Sequence, residues 1–351
     1  MKYQDARMDL EELLNEAFAS QIPNHANIMI TGCNGMIATY LLYFFCYLND
    51  HMNKEIHVYA LTRNMEKTKN KFGDLMERED VTFLLHDVNE PFDFDFSVDY
   101  LFHLASSADP KNILTRPVDV IRANTLGLMN ALEYAKMVNA HLVFASTREI
   151  YGKVEDSVHD IKEDTVGTLD HMANRACYPE SKKMAECLIH SYQLQYHVPY
   201  TIFRIAHAYG PGMALKDGRI MSDLIGNVVN NEDITLKSSG SALRAFCYLS
   251  DLISAILYGT FMGNENMIYN VANEEEEISI LDLAKTLIEV SPEKELKLTY
   301  QKMSEEEKKG YCEFARTSLN TDRIREEGWK PKVKLKEGLK RTIEVFERSY
   351  K

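Results

Sequence analysis

The chain has 351 residues, 45% of them hydrophobic and 26% charged, with a formal net charge of −13 at pH 7. Such figures describe an ordinary globular protein, long enough for one large domain or two closely joined ones. The acidic balance argues against a general nucleic-acid binder or a protein of anionic membrane surfaces; it admits an anionic small ligand only where Arg, Lys or helix N-termini are locally placed.

Six cysteines, at 33, 46, 177, 187, 247 and 312, are scattered. None forms a CxxC pair and no Cys/His cluster has metal spacing, so the expectation is a reduced, cytoplasmic protein without a metal site. Residues 1–25 read as an acidic helical extension, because Leu10, Leu13, Leu14, Ala17 and Phe18 recur at helical spacing. This stretch is neither a signal peptide nor a membrane span. TYLLYFFCYL (39–48) is the most apolar run, too short to cross a bilayer and better suited to a buried helix.

The predicted elements then alternate. HANIMITGCNGMIA (25–38) reads as a buried strand, a Gly-containing turn and the start of a helix running to about Leu48. HVYALTRN (57–64), VTFLLHDV (81–88) and YLFHLAS (100–106) are the next strands, the last followed by a loop containing Pro110. A long helix is predicted from Val118 to Val138, a fifth strand at HLVFAST (141–147), a helix from Pro179 to Tyr196 and a sixth strand at YTIFRIA (200–206). This rhythm predicts an α/β fold with a doubly wound parallel sheet of Rossmann type over 26–206, to which 246–262 returns. Beyond residue 206 the alternation breaks. A smaller, discontinuous, mostly helical C-terminal lobe is expected at 207–245 and 263–351, with a ligand under it at the carboxyl ends of the strands. In the lobe, GRIMSDLIGNVV (218–229) suggests a helix, and the charged tail from 278 onward is read as mostly helical.

The turn TGCNGMIA carries Gly32 and Gly35, with Ala38 three residues on. Glycines there permit a tight turn and close approach to a pyrophosphate, a small third residue lets helix and strand pack, and the helix N-terminus faces the phosphates. Gly32, Asn34, Gly35, Met36 and Ile37 are thus the expected cofactor contacts of the turn. The second strand ends Leu61-Thr62-Arg63-Asn64, without the acid usual in NAD sites. Arg63 suits either a 2′-phosphate, hence NADP, or stacking on adenine beside NAD. Asp87, next to Val88, either accepts from the adenine amino group or caps a turn. Tyr178 and Lys182 stand four residues apart, about one helical turn, and point the same way.

Taken together, TGCNGMIA, HDVNEP (86–91), FHLASSADP (102–110), ANTLGLMNAL (123–132), STREIYG (146–152), RACYPESKK (175–183), DGRIMSDLI (217–225) and GSALRAFCYLSD (240–251) resemble the extended short-chain dehydrogenase/reductases. Within that family the nearest likeness is to UDP-glucuronate decarboxylases and related nucleotide-sugar epimerases and dehydratases, over about residues 27–260. The resemblance implies NAD as cofactor, with NADP not excluded, and a homodimer through the helices at 118–138 and 179–196. It implies that Asn124 holds the active-site backbone, that Leu104, Ala105 and Ser106 line the cofactor, and that Ser146 lies on the nicotinamide side. It also implies that Arg244 meets the diphosphate or the nucleotide of a nucleotide-diphosphate sugar, with Arg219 adding positive charge near the same ligand.

The residues permit a specific chemistry. Tyr178, with a phenol pKa of about 10 in free solution, becomes a base near neutrality only beside positive charge such as Lys182. It then takes a proton from a sugar C4 hydroxyl as hydride leaves the same carbon, with Thr147 sharing the hydrogen bond. The C4 ketone acidifies C5 or turns a C6 carboxylate into a β-keto acid. Glu149, expected on the same face as Thr147 if the strand continues, is the candidate acid/base for that second step. Three positions depart from the family. Thr147-Arg148-Glu149 replaces Thr-Asp-Glu or Thr-Ser-Glu, so Arg148 pairs with Glu149, binds a substrate carboxylate or faces solvent. His207 replaces an Asn at a sugar-contacting position, and Gly212 replaces an Arg. The expected function is decarboxylase- or dehydratase-like nucleotide-sugar modification. The rivals are a 4-epimerase or 4-ketoreductase, a reductase of small carbonyl compounds, and a non-catalytic dinucleotide-binding regulator.

Overall fold

Seven short apolar runs lie side by side in the computed structural model, which describes residues 1–155, 158, 160–302 and 318–350. Cys312 and the expected tail helix at 303–317 lie outside the described residues. The strands are β1 (Asn27–Thr31), β2 (His57–Thr62), β3 (Val81–Leu85), β4 (Tyr100–His103), β5 (His141–Thr147), β6 (Tyr200–Ile205) and β7 (Met267–Val271). All are parallel, in the spatial order β7-β6-β5-β4-β1-β2-β3. The order reverses between β1 and β4, where Ile30 stands opposite both Ala60 and Phe102. This is the switch point at which open α/β sheets bind ligands.

Both faces of the sheet are covered, which is why its strands read as continuous apolar runs rather than alternating ones. One face holds α2 (Met36–Met52) and α5 (Leu249–Phe261), together with α1 (Arg7–Leu14) of the N-terminal extension. The expected buried helix around 39–48 is the centre of α2, whose residues from Ala38 to Leu48 are all buried. The other face holds α3 (Pro117–Val138) and α4 (Cys177–Tyr196), packed on each other and on Leu101, Leu142 and Ile202. A separate core, including Leu224, Ile225, Leu283, Leu287 and Leu339, builds the smaller lobe from Ile220–Val229, Ile280–Glu289 and α6 (Leu335–Tyr350).

Three local expectations change. β7 falls in the segment assigned to the lobe, yet it pairs with β6 as the edge strand of the main sheet. Residues 207–248 are inserted ahead of α5, so the strand–helix–strand rhythm that marks such a unit is interrupted. Arg323 donates from Nη1 to the Ile268 carbonyl at 3.1 Å and so helps cover that edge. The segment after β4 is not a plain loop: Asp109 accepts from the Asn112 N–H at 2.8 Å and caps a short helix, Pro110–Thr115. Finally, α4 starts at Cys177 rather than Pro179, which places Tyr178 inside the helix.

The extension is tied down by one buried carboxylate. Asp9, 4% exposed, accepts from the Tyr40 hydroxyl at 3.0 Å, the Tyr248 hydroxyl at 2.9 Å and Arg341 Nη1 at 2.8 Å. It thereby joins α1 to α2, to the segment entering α5 and to α6. Replacing Asp9 with Ala strands two buried hydroxyls and leaves Arg341 only Glu12 and Glu337, and is expected to cost about 3 kcal/mol of stability, read from denaturant unfolding.

Candidate active site

Two turns meet at the switch point. Gly32 follows β1 at φ +68°, and a Cβ there would come within 3.0 Å of Ala105 Cα in the turn after β4. Only glycine suits both the conformation and the approach. The Leu104 and Ala105 N–H groups donate to Thr31 Oγ1 at 3.0 and 3.1 Å, locking that second turn to β1. Gly35 is the N-cap of α2 and makes no side-chain cap bond, so the first amides of a 17-residue helix are left for an anion. Met36 and Ile37 open that helix; Ser106, past β4, is exposed. The buried Asn34 Oδ1 and Asn124 Oδ1 have no protein partner. A glycine cradle, an uncapped helix and orphaned amide oxygens together fit a dinucleotide.

Around this cradle the side chains are already engaged. Asn34 Nδ2 donates to Thr62 Oγ1 at 2.9 Å and Thr68 Oγ1 at 2.8 Å, fixing the turn to the end of β2. Lys71, which the sequence reading missed, donates to the Asn34 carbonyl at 2.9 Å; burial pulls its pKa down to about 8, against the opposing influence of Cys33. Arg63 is exposed at the end of β2. Asp87 Oδ1 accepts from both the backbone and the side-chain N–H of Asn89, at 3.0 and 2.9 Å, so the turn-capping role is the one observed. Val88 is buried against Gly127 of α3. Asn124 Nδ2 donates to Ser181 Oγ at 2.9 Å, which in turn donates to the Tyr178 carbonyl at 3.1 Å. The residue expected to brace the active-site backbone thus sits against α4 just below Tyr178.

Thr147, Tyr178 and Lys182 are all at least nine-tenths buried and share one crevice. Burial, followed by the charge of Glu149, pushes the Tyr178 phenol well above its ordinary range; the Thr147 hydroxyl and the charges of Arg219 and Arg175 pull it back. Lys182 donates to the Ala145 carbonyl at 2.7 Å and lies 4.4 Å from the Phe144 ring centroid. Burial brings its pKa down to about 7, with Glu186 acting in the other direction. Arg219 and Arg175 thus add positive charge near the phenol from outside α4.

The strand does not continue to Glu149. β5 ends at Thr147, and Arg148–Tyr151 form a 3₁₀ turn in which Thr147 Oγ1 accepts from the Glu149 N–H at 3.2 Å. The turn, rather than a shared strand face, brings Glu149 near Tyr178. Its carboxylate accepts from Arg175 Nη2 at 3.3 and 3.4 Å, so Arg175 takes the pairing considered for Arg148. Arg148 is 4% exposed and does not face solvent. His207 has φ +46° and a buried Nδ1 without a protein partner. Burial, then Arg244 and Arg148, lower its pKa to about 3, so it is neutral near pH 7. Arg244 is buried on the strand Leu243–Ala245, and Arg219 pairs with Asp217 at 2.6 Å. Met1 Sδ lies near Gly212, 3.4 Å from where a Cβ would stand.

Ser146 donates to Glu186 Oε1 at 2.5 Å, and Glu186 also receives Arg204 Nη2 at 2.7 Å. The sequence reading named neither Glu186 nor Arg204. The signal available for Glu186 was its place one turn beyond Lys182 on the helix that carries Tyr178. Among the described residues no group of three or more His, Cys, Asp or Glu side chains could hold a metal ion.

This arrangement, a dinucleotide cradle at the switch point of a parallel sheet with a Tyr/Lys pair beside it, defines an oxidoreductase-type site. The sequence pattern of the NAD dependent epimerase/dehydratase family matches residues 28–272, and the chain belongs to that family. UDP-glucuronic acid decarboxylase 1 of Danio rerio is 31% identical over 322 residues, which span 92% of this chain and 72% of the relative. UDP-glucuronic acid decarboxylase 3 of Arabidopsis thaliana is 34% identical over 263 residues, spanning 74% and 73%. Among solved structures, an epimerase from Methanothermobacter thermautotrophicus superposes with a TM-score of 0.80 at 19% identity, covering 98% of this chain and 97% of that one. The chain is thus an NAD-dependent enzyme of nucleotide-sugar modification through a 4-keto intermediate.

Replacing Gly32 with Ala places a methyl group against Ala105 and strains a left-handed residue. NADH affinity, read by fluorescence titration, is expected to fall at least about tenfold, a loss of about 1.4 kcal/mol of binding free energy.

Proposed function

We propose that this enzyme oxidises C4 of a nucleotide-diphosphate hexuronate and then releases carbon dioxide from the 4-keto sugar, a lyase outcome like that of its decarboxylase relatives. The observation that carries this reading is a convergence of cations in an acidic protein. Arg175 and Arg219 act on Tyr178, and Arg148 and Arg244 act on His207, which follows β6 two residues after Ile205, the strand partner of Thr147. Such a site suits a ligand with a diphosphate and a carboxylate. The substrate contacts are assigned to His207, Arg219 and Arg244 of the smaller lobe, facing Arg148 and Glu149 across the crevice.

NAD, when bound, supplies the hydride acceptor. Tyr178 takes the C4 hydroxyl proton, and Thr147 orients that hydroxyl. Lys182 favours the phenolate once a ligand draws it toward Tyr178. With C4 a ketone, the electrons of the C5–C6 bond pass toward the carbonyl as carbon dioxide leaves, and a proton returns to C5. Glu149, on the turn beside Tyr178, is the acid/base for that return. Dehydration is disfavoured because loss of a C6 hydroxyl needs a proton donor, and the residue between Thr147 and Glu149 is an Arg, which keeps its proton at any ordinary pH. Buried Arg148 supports a second reading, 4-epimerisation. A guanidinium held against a carboxylate stabilises the charge that carbon dioxide loss must discharge, and so favours its retention.

Incubation with UDP-glucuronate, followed by NMR, separates these readings. Decarboxylation yields carbon dioxide with a UDP-pentose if hydride and the Tyr178 proton return to C4, or a UDP-4-keto-pentose if the cofactor leaves reduced; epimerisation, with hydride returned to the opposite face of C4, yields the 4-epimeric UDP-hexuronate. NAD binding without turnover of any UDP-, dTDP-, CDP- or GDP-sugar would return the protein to a regulatory role. Tyr178→Phe is expected to lower kcat by about 10²–10⁴ while leaving NAD affinity within about twofold.

A homodimer through α3 and α4 and a cytoplasmic location complete the proposal. Val118, Ile121 and Met129 of α3 and Met184 and Leu194 of α4 are exposed apolar side chains on the two helices. Cys33, Cys46, Cys177, Cys187 and Cys247 are unpaired, in keeping with a reducing compartment. The double substitution Ile121→Glu with Met129→Glu is expected to give a folded monomer by light scattering.

A further inference from the structure

Tyr178, Lys182 and Glu186 lie at successive turns of α4, on one face of the helix. Glu186 is 8% exposed. Its Oε1 accepts from Ser146 Oγ at 2.5 Å and from Arg204 Nε at 3.1 Å; its Oε2 accepts from Arg204 Nε at 3.1 Å and Nη2 at 2.7 Å. Arg204, on β6, is held in turn, donating from Nη1 to the Tyr151 hydroxyl at 2.8 Å and the Glu163 carbonyl at 2.6 Å. Tyr151 then donates to Asn270 Oδ1 at 2.7 Å on β7. One carboxylate is therefore bonded directly from two strands, and through Arg204 and Tyr151 to a third, one helical turn beyond the active-site lysine.

We propose that Glu186 is a positioning residue for the Tyr178–Lys182 pair, holding Lys182 as an ammonium ion in a closed site and fixing Ser146 at the end of β5. Lys182 needs such a partner because its protein contacts, the Ala145 carbonyl and the Phe144 ring, carry no formal charge. The other titratable and charged groups around it are Tyr178 on α4, His103 on β4 and Arg204 on β6 beyond Glu186. Neutral His103, its pKa brought down to about 3 by burial and by Lys182 itself, offers no counter-charge. Arg204 is cationic and opposes a charged Lys182, and the neutral Tyr178 phenol leaves the matter to Glu186. The negative charge of Glu186 raises the Lys182 pKa against the burial that lowers it. Without it, Lys182 loses its proton at lower pH, and the phenolate of Tyr178 loses its cation.

The proposal rests on the assigned chemistry only for its kinetic readout, so its test has a second arm. In full-length protein labelled with ¹³C-lysine, the Lys182 Cε shift followed against pH reports the ammonium directly, with no substrate present. In Glu186→Gln the midpoint is expected to fall by about one unit. In turnover of UDP-glucuronate the alkaline limb of kcat/KM should move down by a similar amount, while Glu186→Asp keeps the parent profile at a reduced rate. Because Glu186→Gln leaves the Arg204 guanidinium unpaired and can fail to fold, the paired variant Glu186→Gln with Arg204→Met is measured alongside and is expected to show a smaller fall, since it also removes the cation that opposes a charged Lys182. A Lys182 midpoint within about 0.3 unit of the parent in a folded variant of either kind overturns the proposal. A shifted midpoint in a protein that turns over no sugar nucleotide supports it and instead refutes the assigned function.

Discussion

The site depends on how one lysine is buried. An ammonium group taken out of water is costly unless it is paired and hydrogen-bonded. Lys182 meets the hydrogen-bonding half of that demand at the carboxyl end of β5, where the Ala145 carbonyl accepts it at 2.7 Å and the Phe144 ring lies beneath. This bond fixes the rotation of α4 about its axis. A change of register by one residue would swing each side chain through about 100° and carry Tyr178 away from Thr147. The neighbouring contact, Ser146 to Glu186, repeats the constraint one turn further on. Strand end and helix face are thus matched at two successive turns, and the phenol is held where the third turn places it.

The same economy governs the electrostatics. A chain with net charge −13 gathers Arg148, Arg175, Arg219 and Arg244 about one crevice. Three of these charges are engaged before any ligand arrives: Arg175 pairs with Glu149, Arg219 with Asp217, and Arg244 bonds the Leu243 carbonyl. Acidic surface elsewhere steepens the contrast, so an anion feels a local positive field despite the overall sign. The uncapped N-terminus of α2 adds its partial charge at the other end of the same cleft.

Much of this was legible in the sequence where the signal was local. Apolar runs and glycines gave six of the seven sheet strands and the dinucleotide turn, because a buried parallel strand and a left-handed glycine leave their marks within a few residues. The spacing of Tyr178 and Lys182 was enough to put them on one helix face. What escaped was what tertiary contact decides. β7 was hidden by the 207–248 insertion, which separates it from β6 in sequence but not in space. Glu149 was assigned to a strand face because nothing in STREIYG announces that the strand stops at Thr147; the Thr147 hydroxyl capping the next turn does so only in three dimensions. The partnership of Arg175 with Glu149 spans 26 residues, and that of Arg204 with Glu186 joins a strand to a helix. No periodicity encodes such pairs.

The turn at Thr147 also changes what Glu149 can do. Had the strand continued, Glu149 would stand beside Thr147 as an independent carboxylate. Instead it is paired with Arg175, and the two act on Tyr178 with opposite sign, Glu149 raising the phenol's pKa and Arg175 lowering it. At Tyr178 the pair behaves as a dipole whose contributions partly cancel. Any event that removes one member tilts the balance. Protonation of Glu149 leaves Arg175 free to favour the phenolate, whereas a ligand anion that engages Arg175 leaves Glu149 to oppose it. In the proposed cycle Glu149 and Tyr178 are therefore coupled through one ion pair, and its two halves need not be controlled separately.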